Sequence, residues 1–188
     1  ARQAAIAIEN ARLYEERNRK IRELDALNKI ASSITSTLDL ERVLDLTMQE
    51  LKDLLGVEVC SLMLLDEQTD ELVFKVSLGP GAEQVKRLRL GSSQGIAGWV
   101  AREGQPALVL DVRSDPRWYS NIDHSTGFTT KSILAVPLKS KEKVIGVIEV
   151  INKVQGTFTA DDQHLLDSIS MVVATAIENA RLFGELNK

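Results

Sequence analysis

The sequence predicts an α+β domain: an antiparallel sheet with helices on one face and a loop-covered pocket on the other. Three observations predict it. The apolar runs Ile133–Leu138 and Val144–Ile151 flank the polar turn SKEK and read as a β-hairpin. Helical stripes bracket the strand-rich centre, one ending at Gly56 and one beginning at Thr159. Between them lies DPRWYSNIDHSTGF, too polar for core and too long for a simple turn, and loops of that length are commonly functional.

In chain order, Asp39 is a fitting N-cap for a helix with Val43, Leu44, Thr47, Leu51 and Leu54 on one side, closed by Gly56. Val57–Leu65 reads as a mostly buried strand, and the turn DEQTDE leads into a second strand, Leu72–Ser77. GPG breaks the chain, after which Val85–Leu90 alternates apolar and basic side chains as a strand with one wet face does. GSSQG opens a short helix at Ile96–Arg102, and Leu108–Val112 is a further strand. After the long loop and the hairpin, Thr159 caps a last helix with Asp162 near its start and Leu166, Ile169, Val173 and Ile177 along one face.

Composition narrows the function. The chain has 188 residues, 44% hydrophobic and 27% charged, with a formal net charge of −4, the profile of an ordinary globular domain rather than of a nucleic-acid binder. A single cysteine, Cys60, rules out an intrachain disulfide, and no Cys or His spacing suggests a metal. No apolar run approaches the length of a membrane span, and nothing resembles a signal peptide, so the expectation is a piece of a longer cytoplasmic protein that touches neither membrane nor nucleic acid.

The two ends repeat each other. Ala7–Leu13 reads AIENARL, and Ala176–Leu182 reads AIENARL again. The economical explanation is a tandem array, in which residues 1–27 are the last helix of a preceding copy running into a linker, residues 28–183 are one domain and residues 184–188 begin the outgoing linker helix. Ile21, Leu24, Leu27, Ala31, Ile34 and Leu38 form a narrow helical stripe, with Asn28 near its seam. That stripe reads either as a signalling helix dimerising in parallel or as an amphipathic helix packed on its own domain.

Within the hairpin, Glu149 places one carboxylate in an apolar strand, and such a charge needs a partner or a pocket. Lys131 or a backbone N–H would satisfy it in the core; Asp123, Thr126 and Thr130 of the preceding loop would surround it in a pocket. Cys60 and Ser61 are strand neighbours, so they face opposite sides. Trp99 and Trp118 read as pocket-wall or packing residues, and His124 as a solvated loop residue.

The motifs GIAGWVA, TGFTTKSILAVPL and VIGVIEVINK, in that order and closed by the terminal helix, resemble a GAF domain over residues 28–183. The resemblance implies a GAF/PAS-like six-stranded antiparallel sheet flanked by helices, and a sensory module that dimerises through its terminal helices. It also implies an output domain elsewhere in the protein: a kinase, cyclase, phosphodiesterase or transcriptional activator. The chain looks closest to the cyclic-nucleotide-binding subgroup, whose N-K-F-D-E signature is matched at Asn152, Lys153, Phe158 and Asp162 and departs at Gln163. Of that signature, Lys153 and Asp162 are expected to form an ion pair clamping the last helix to the sheet. By the same resemblance the ligand-binding residues are Ser61, Ile96, Ala97, Tyr119, Asp123, Thr126, Thr130 and Glu149, and the ligand is cAMP or cGMP. Where the subgroup has an aromatic–Asp pair, this chain has Ser77 and Leu78. Enzymatic members of the family that reduce free methionine sulfoxide use several cysteines, so a regulatory role is expected. The alternative is a ligand-free module serving as a dimerising spacer.

Overall fold

The computed structural model describes residue 9, residues 12–26 and residues 40–186. Asp39, Asn28 and the stripe from Leu27 to Leu38 lie outside the described residues, as does most of the first AIENARL copy. Residues 12–26 form helix α1, on which Ile21 and Leu24 are 47% and 58% exposed. These are the described members of the predicted stripe, and neither is covered by the domain.

Helix α2 (Leu40–Leu55) precedes strands β1 (Val57–Asp66) and β2 (Glu71–Leu78). Short helix α3 (Ala82–Val85), strand β3 (Arg89–Gly91), helix α4 (Gly95–Glu103) and strand β4 (Ala107–Val109) follow. Helix α5 (Asn121–Thr126) interrupts the long loop, and β5 (Ile133–Ser140), β6 (Lys143–Lys153) and α6 (Ala160–Leu186) complete the chain. The sheet is six-stranded and antiparallel in its pairings, with the order β3-β2-β1-β6-β5-β4.

Strand alternation divides the side chains between two cores. Cys60, Leu62, Ile148 and Val150 meet Leu44, Met48 and Leu51 of α2 and Leu166, Ile169 and Val173 of α6. Met63, Phe74, Ala135 and Val147 point the other way, toward Val85 of α3 and Ile96 and Val100 of α4. The apolar stripes read from the sequence are therefore what α2 and α6 bury.

Three predicted elements are corrected. Val85–Leu90 is not one strand: Val85 ends α3, a turn carries Leu88 N–H back to the Val85 carbonyl at 2.9 Å, and the strand starts at Arg89. Val85 and Leu88 lie at helical i, i+3 spacing, which a run this short cannot distinguish from alternation. The strand predicted over Leu108–Val112 ends at Val109, because Val112 opens a 3-10 turn whose preceding Asp111 accepts from Arg113 N–H at 3.1 Å. The polar loop contains α5, stopped by Gly127 in the left-handed region at φ +69°.

Asn152 joins the hairpin to the rest. It sits at φ +56°, 4% exposed, and its side chain makes four hydrogen bonds. Oδ1 accepts from Lys131 N–H at 2.7 Å and Ser132 N–H at 3.2 Å; Nδ2 donates to Glu58 Oε2 and the Thr129 carbonyl, each at 2.8 Å. The next residue, Lys153, places Nζ 2.5 Å from Asp162 Oδ2. Asp162 and Thr159 form a reciprocal cap at the start of α6, Asp162 Oδ2 accepting from Thr159 N–H at 2.9 Å and Thr159 Oγ1 accepting from Asp162 N–H at 3.3 Å. Phe158 is buried against the α2/α6 core, and Gln163 sits against Asp167 on the outer side of the helix.

Replacing Asn152 by Ala strands two buried amides and forces a β-carbon residue with no local polar partner to hold positive φ. The expected loss is about 3 kcal/mol in urea unfolding. An unchanged midpoint would show that the four bonds are dispensable.

Candidate functional site

The site lies between the sheet and the second helical layer, and its floor is one cross-strand row. Ser77 on β2 pairs with Ser61 on β1, Ser61 with Glu149 on β6, and Glu149 with Ala135 on β5. Directly paired residues share a face, so Ser77, Ser61 and Glu149 all look toward α3, α4 and α5. The Ser61 and Ser77 hydroxyls are 3.1 Å apart and both residues are 2% exposed.

Ser77 joins the row through a β-bulge. The register of β1 and β2 shifts between Leu62 and Met63: Met63 opposes Phe74, Leu62 opposes Val76, and Lys75 is the extra residue. Phe74 and Ser77, three apart, thereby share a face. Simple alternation from Leu72 sends Ser77 to the opposite core, so the strand pattern alone does not mark it; only the resemblance does, by aligning Ser77 and Leu78 with the subgroup's aromatic–Asp pair.

Helix α5 and the Thr129–Ser132 segment roof the row. Asp123 Oδ2 accepts from Thr130 N–H and Oδ1 from Thr130 Oγ1, both at 2.7 Å. Thr126 spends its hydroxyl on the backbone, donating to the Ile122 carbonyl at 2.9 Å and accepting from Phe128 N–H at 3.2 Å. Gly81, at φ +79°, lets α5 approach: a β-carbon there falls 2.9 Å from Thr126 Cβ. Arg117 fastens the lid's other end, its guanidinium 4.3 Å from the Trp99 ring centroid and its Nη2 2.6 Å from Asp115.

Two adjoining lobes of about 40 Å³ each result, with Ile122, Asp123, Thr130, Glu149 and Ile151 lining both. One reaches Gln94, Gly95, Ile96 and Ala97 at the α4 N-terminus, under Trp118 and Tyr119. The first turn of α4 leaves backbone amides free there, an anion-favouring end. The other reaches Ser61 and Ser77 between Phe74 and Phe128. Tyr119 Oη accepts from Asn121 Nδ2 at 2.6 Å at the mouth. Lobes of this size hold a few waters each, whereas small-molecule sites run to about 300 Å³ and more. A larger ligand therefore enters by displacing the lid.

Glu149 is 8% exposed and lines both lobes. It takes no hydrogen bond from any described side chain or backbone amide; burial, aided by the negative charge of Asp123, pushes its carboxyl up to about 7. The Lys131 partner considered from the sequence is not made: Lys131 donates its backbone N–H to Asn152 and its side chain is exposed. The eight expected ligand-binding residues thus converge on one cavity, joined by Ser77, Phe74, Ile122, Phe128 and Ile151. Cys60 does not join them. It faces α2, Sγ 3.8 Å from Met48 Sδ, and burial pushes its thiol up to about 12. His124 is exposed on α5, and among the described residues no cluster of His, Cys, Asp and Glu is arranged to hold a metal.

With this geometry established, comparison with known proteins assigns the family: residues 39–177 match the GAF domain. The chain belongs to the GAF domain family. A probable 3',5'-cyclic phosphodiesterase of Caenorhabditis elegans is 29% identical over 174 residues, covering 88% of this chain and 24% of the relative, so the chain spans about a quarter of that protein's length. The crystal structure of the GAF domain from an Acinetobacter phosphoenolpyruvate-protein phosphotransferase superposes with a TM-score of 0.75 at 27% identity, covering 87% of this chain and 97% of that one. A free methionine-R-sulfoxide reductase from Neisseria meningitidis, solved with its substrate, shares the fold at a TM-score of 0.74 and 24% identity, covering 85% and 90%. GAF domains are small-molecule-sensing regulatory modules, and this chain has their six-stranded sheet and flanking helices.

The raised Glu149 carboxyl has a consequence for stability. The folded state holds a proton that the unfolded chain releases near pH 4.5, so its stabilising effect is complete below that pH and is lost as pH rises through about 7. Melting temperature is expected to fall between these limits by the equivalent of about 3 kcal/mol. Glu149→Gln should flatten that part of the profile; an equally steep variant profile would assign the slope to other groups.

Proposed function

We propose that this GAF domain is the effector-binding module of a larger cytoplasmic signalling protein, and that its effector is a purine cyclic nucleotide, cAMP or cGMP. The observation that carries the reading is Glu149: a carboxyl buried under a lid, facing a cavity and lacking a hydrogen-bond partner. Its oxygens remain accessible from the cavity, where a ligand bearing N–H or O–H donors would pair with them. The free amides at the start of α4 supply the complementary end for a phosphate, and the walls between are apolar. The match to a cyclic phosphodiesterase over most of this chain supports the same ligand class.

The role proposed is regulation rather than catalysis. Cys60, the chain's one cysteine, lies on the far side of the sheet from the cavity. Occupancy would be passed on through α1 and α6 in a homodimer, with an adjacent GAF copy suggested by the repeated AIENARL and a kinase, cyclase, phosphodiesterase or transcriptional activator as output. Exposed Leu24 on α1, with Met171 and Leu182 at 65% and 50% on α6, provides apolar surface for that pairing. No helix among the described residues is long and apolar enough to cross a membrane.

Two measurements test this. Cyclic nucleotide at about one hundred times its dissociation constant should stabilise the fold by about 2.7 kcal/mol, read as a rise in melting temperature. Flat melting curves with both nucleotides up to millimolar concentration reject the ligand and favour the spacer reading. For the dimer, light scattering should give twice the chain mass, falling to one on removal of residues 1–30; a mass that does not change on truncation rejects pairing through that helix.

A further inference from the structure

Resting on the cyclic-nucleotide reading, we propose that Glu149 reads the purine base, and that its own proton decides which base: the carboxylate takes guanine and the neutral acid takes adenine. The argument begins with what surrounds it. Across β1 Glu149 is paired with Ser61, whose hydroxyl lies 3.1 Å from that of Ser77 one strand further on; across β5 it is paired with Ala135. From α5 and the segment behind it come Asp123 and Thr130, and from α4 the uncharged Gln94 to Ala97. Tyr119 is the remaining titratable group in the lining, and no lysine, arginine or histidine lines either lobe. Nothing basic is present to hold Glu149 as a carboxylate, and Asp123 opposes that form.

The lobe holding Ser61 and Ser77, walled by Phe74 and Phe128, has the apolar faces a flat base needs, while the other lobe carries the anion-favouring helix end. A nucleotide laid with phosphate at α4 and base beside the serines passes over Glu149. A carboxylate offers two acceptors, matching the adjacent N1–H and N2–H donors of guanine; a neutral carboxyl offers one donor and one acceptor, matching N1 and N6–H of adenine. Glutamine copies the neutral acid, and is a recognised bidentate partner of adenine. No described group donates a hydrogen bond to Glu149, so both of its oxygens are open to the base.

The experiment is isothermal titration of the full chain with cAMP and with cGMP at about pH 6 and about pH 8, for wild type, Glu149→Gln and Asp123→Asn. Both nucleotides keep one charge form across this range, so the titration belongs to the protein. In wild type, cAMP affinity is expected to fall about tenfold and cGMP affinity to rise about tenfold from the lower to the higher pH, as the neutral fraction falls. Glu149→Gln should bind cAMP with no pH dependence and lose cGMP preference, and Asp123→Asn should move the crossover to lower pH. Circular dichroism confirms that the variants are folded, and the wild-type profile stands without them. Binding of either nucleotide with flat profiles overturns this inference and leaves the cyclic-nucleotide reading intact. Binding of neither overturns both.

Discussion

The buried amide of Asn152 is the constraint on which the site depends. Its four hydrogen bonds tie two separate stretches to the end of β6: Glu58 on β1, and the Thr129–Ser132 segment through the Thr129 carbonyl and the Lys131 and Ser132 amides. In the segment before β5 the Lys131 and Ser132 carbonyls accept from Val112 and Asn152 N–H, at 2.9 and 3.0 Å, but the amides of the same two residues have no backbone acceptor, and backbone groups must be satisfied somewhere. Asn152 does this by bending into the left-handed region, which asparagine tolerates better than most residues. Thr130 is thereby fixed where its amide and hydroxyl reach Asp123, so the same side chain that ends the strand also sets the height of the roof above Glu149.

The cavity is then a compromise between packing and charge. Its walls are filled closely enough to leave only small lobes, yet its floor retains a carboxyl without a hydrogen-bond partner. A domain under selection for stability alone would replace Glu149 by an apolar residue such as Ile148 or Val150 beside it, which bury without cost. Carboxyls whose protonation is strongly perturbed by burial inside a cavity gather where a ligand or a proton is handled. The lid is held by two hydrogen bonds between Asp123 and Thr130, by Arg117 stacked on Trp99 and paired with Asp115, and by Trp118, Tyr119 and Ile122 packed on the second core.

Much of this was legible in the sequence because it follows from alternation and helical spacing. Cys60 and Ser61 face opposite cores as period two demands, and the hairpin and the stripes of α2 and α6 fall where the apolar pattern puts them. What escaped did so for local reasons. Lys75 inserts one residue into β2 and reverses the parity that would have sent Ser77 elsewhere. Val85–Leu90 is too short for its period to separate strand from turn, and α5 is a polar helix whose clue is Ser120 before it and Gly127 after it rather than any stripe. The partner of Glu149 could not be read from Lys131, because the nearby acceptor Asn152 captures the backbone of that residue and leaves its side chain outside.

One bonded route leads from the cavity to the long helix. Asp123 holds Thr130; Lys131 and Ser132 hold Asn152; the adjoining Lys153 holds Asp162, which caps α6 together with Thr159. Contiguity alone does not make this a signal path, since coupling requires an element with two arrangements that a ligand distinguishes. The proposed nucleotide would require such an element, because it is too large for the lobes unless α5 moves. If a donor on the ligand competes with Thr130 for Asp123, the strain falls next on the Thr129–Ser132 segment, and Asn152 is the point at which it must either be absorbed or reach α6. Its four bonds to two stretches favour transmission: a side chain so thoroughly engaged cannot yield to one neighbour without shifting the other.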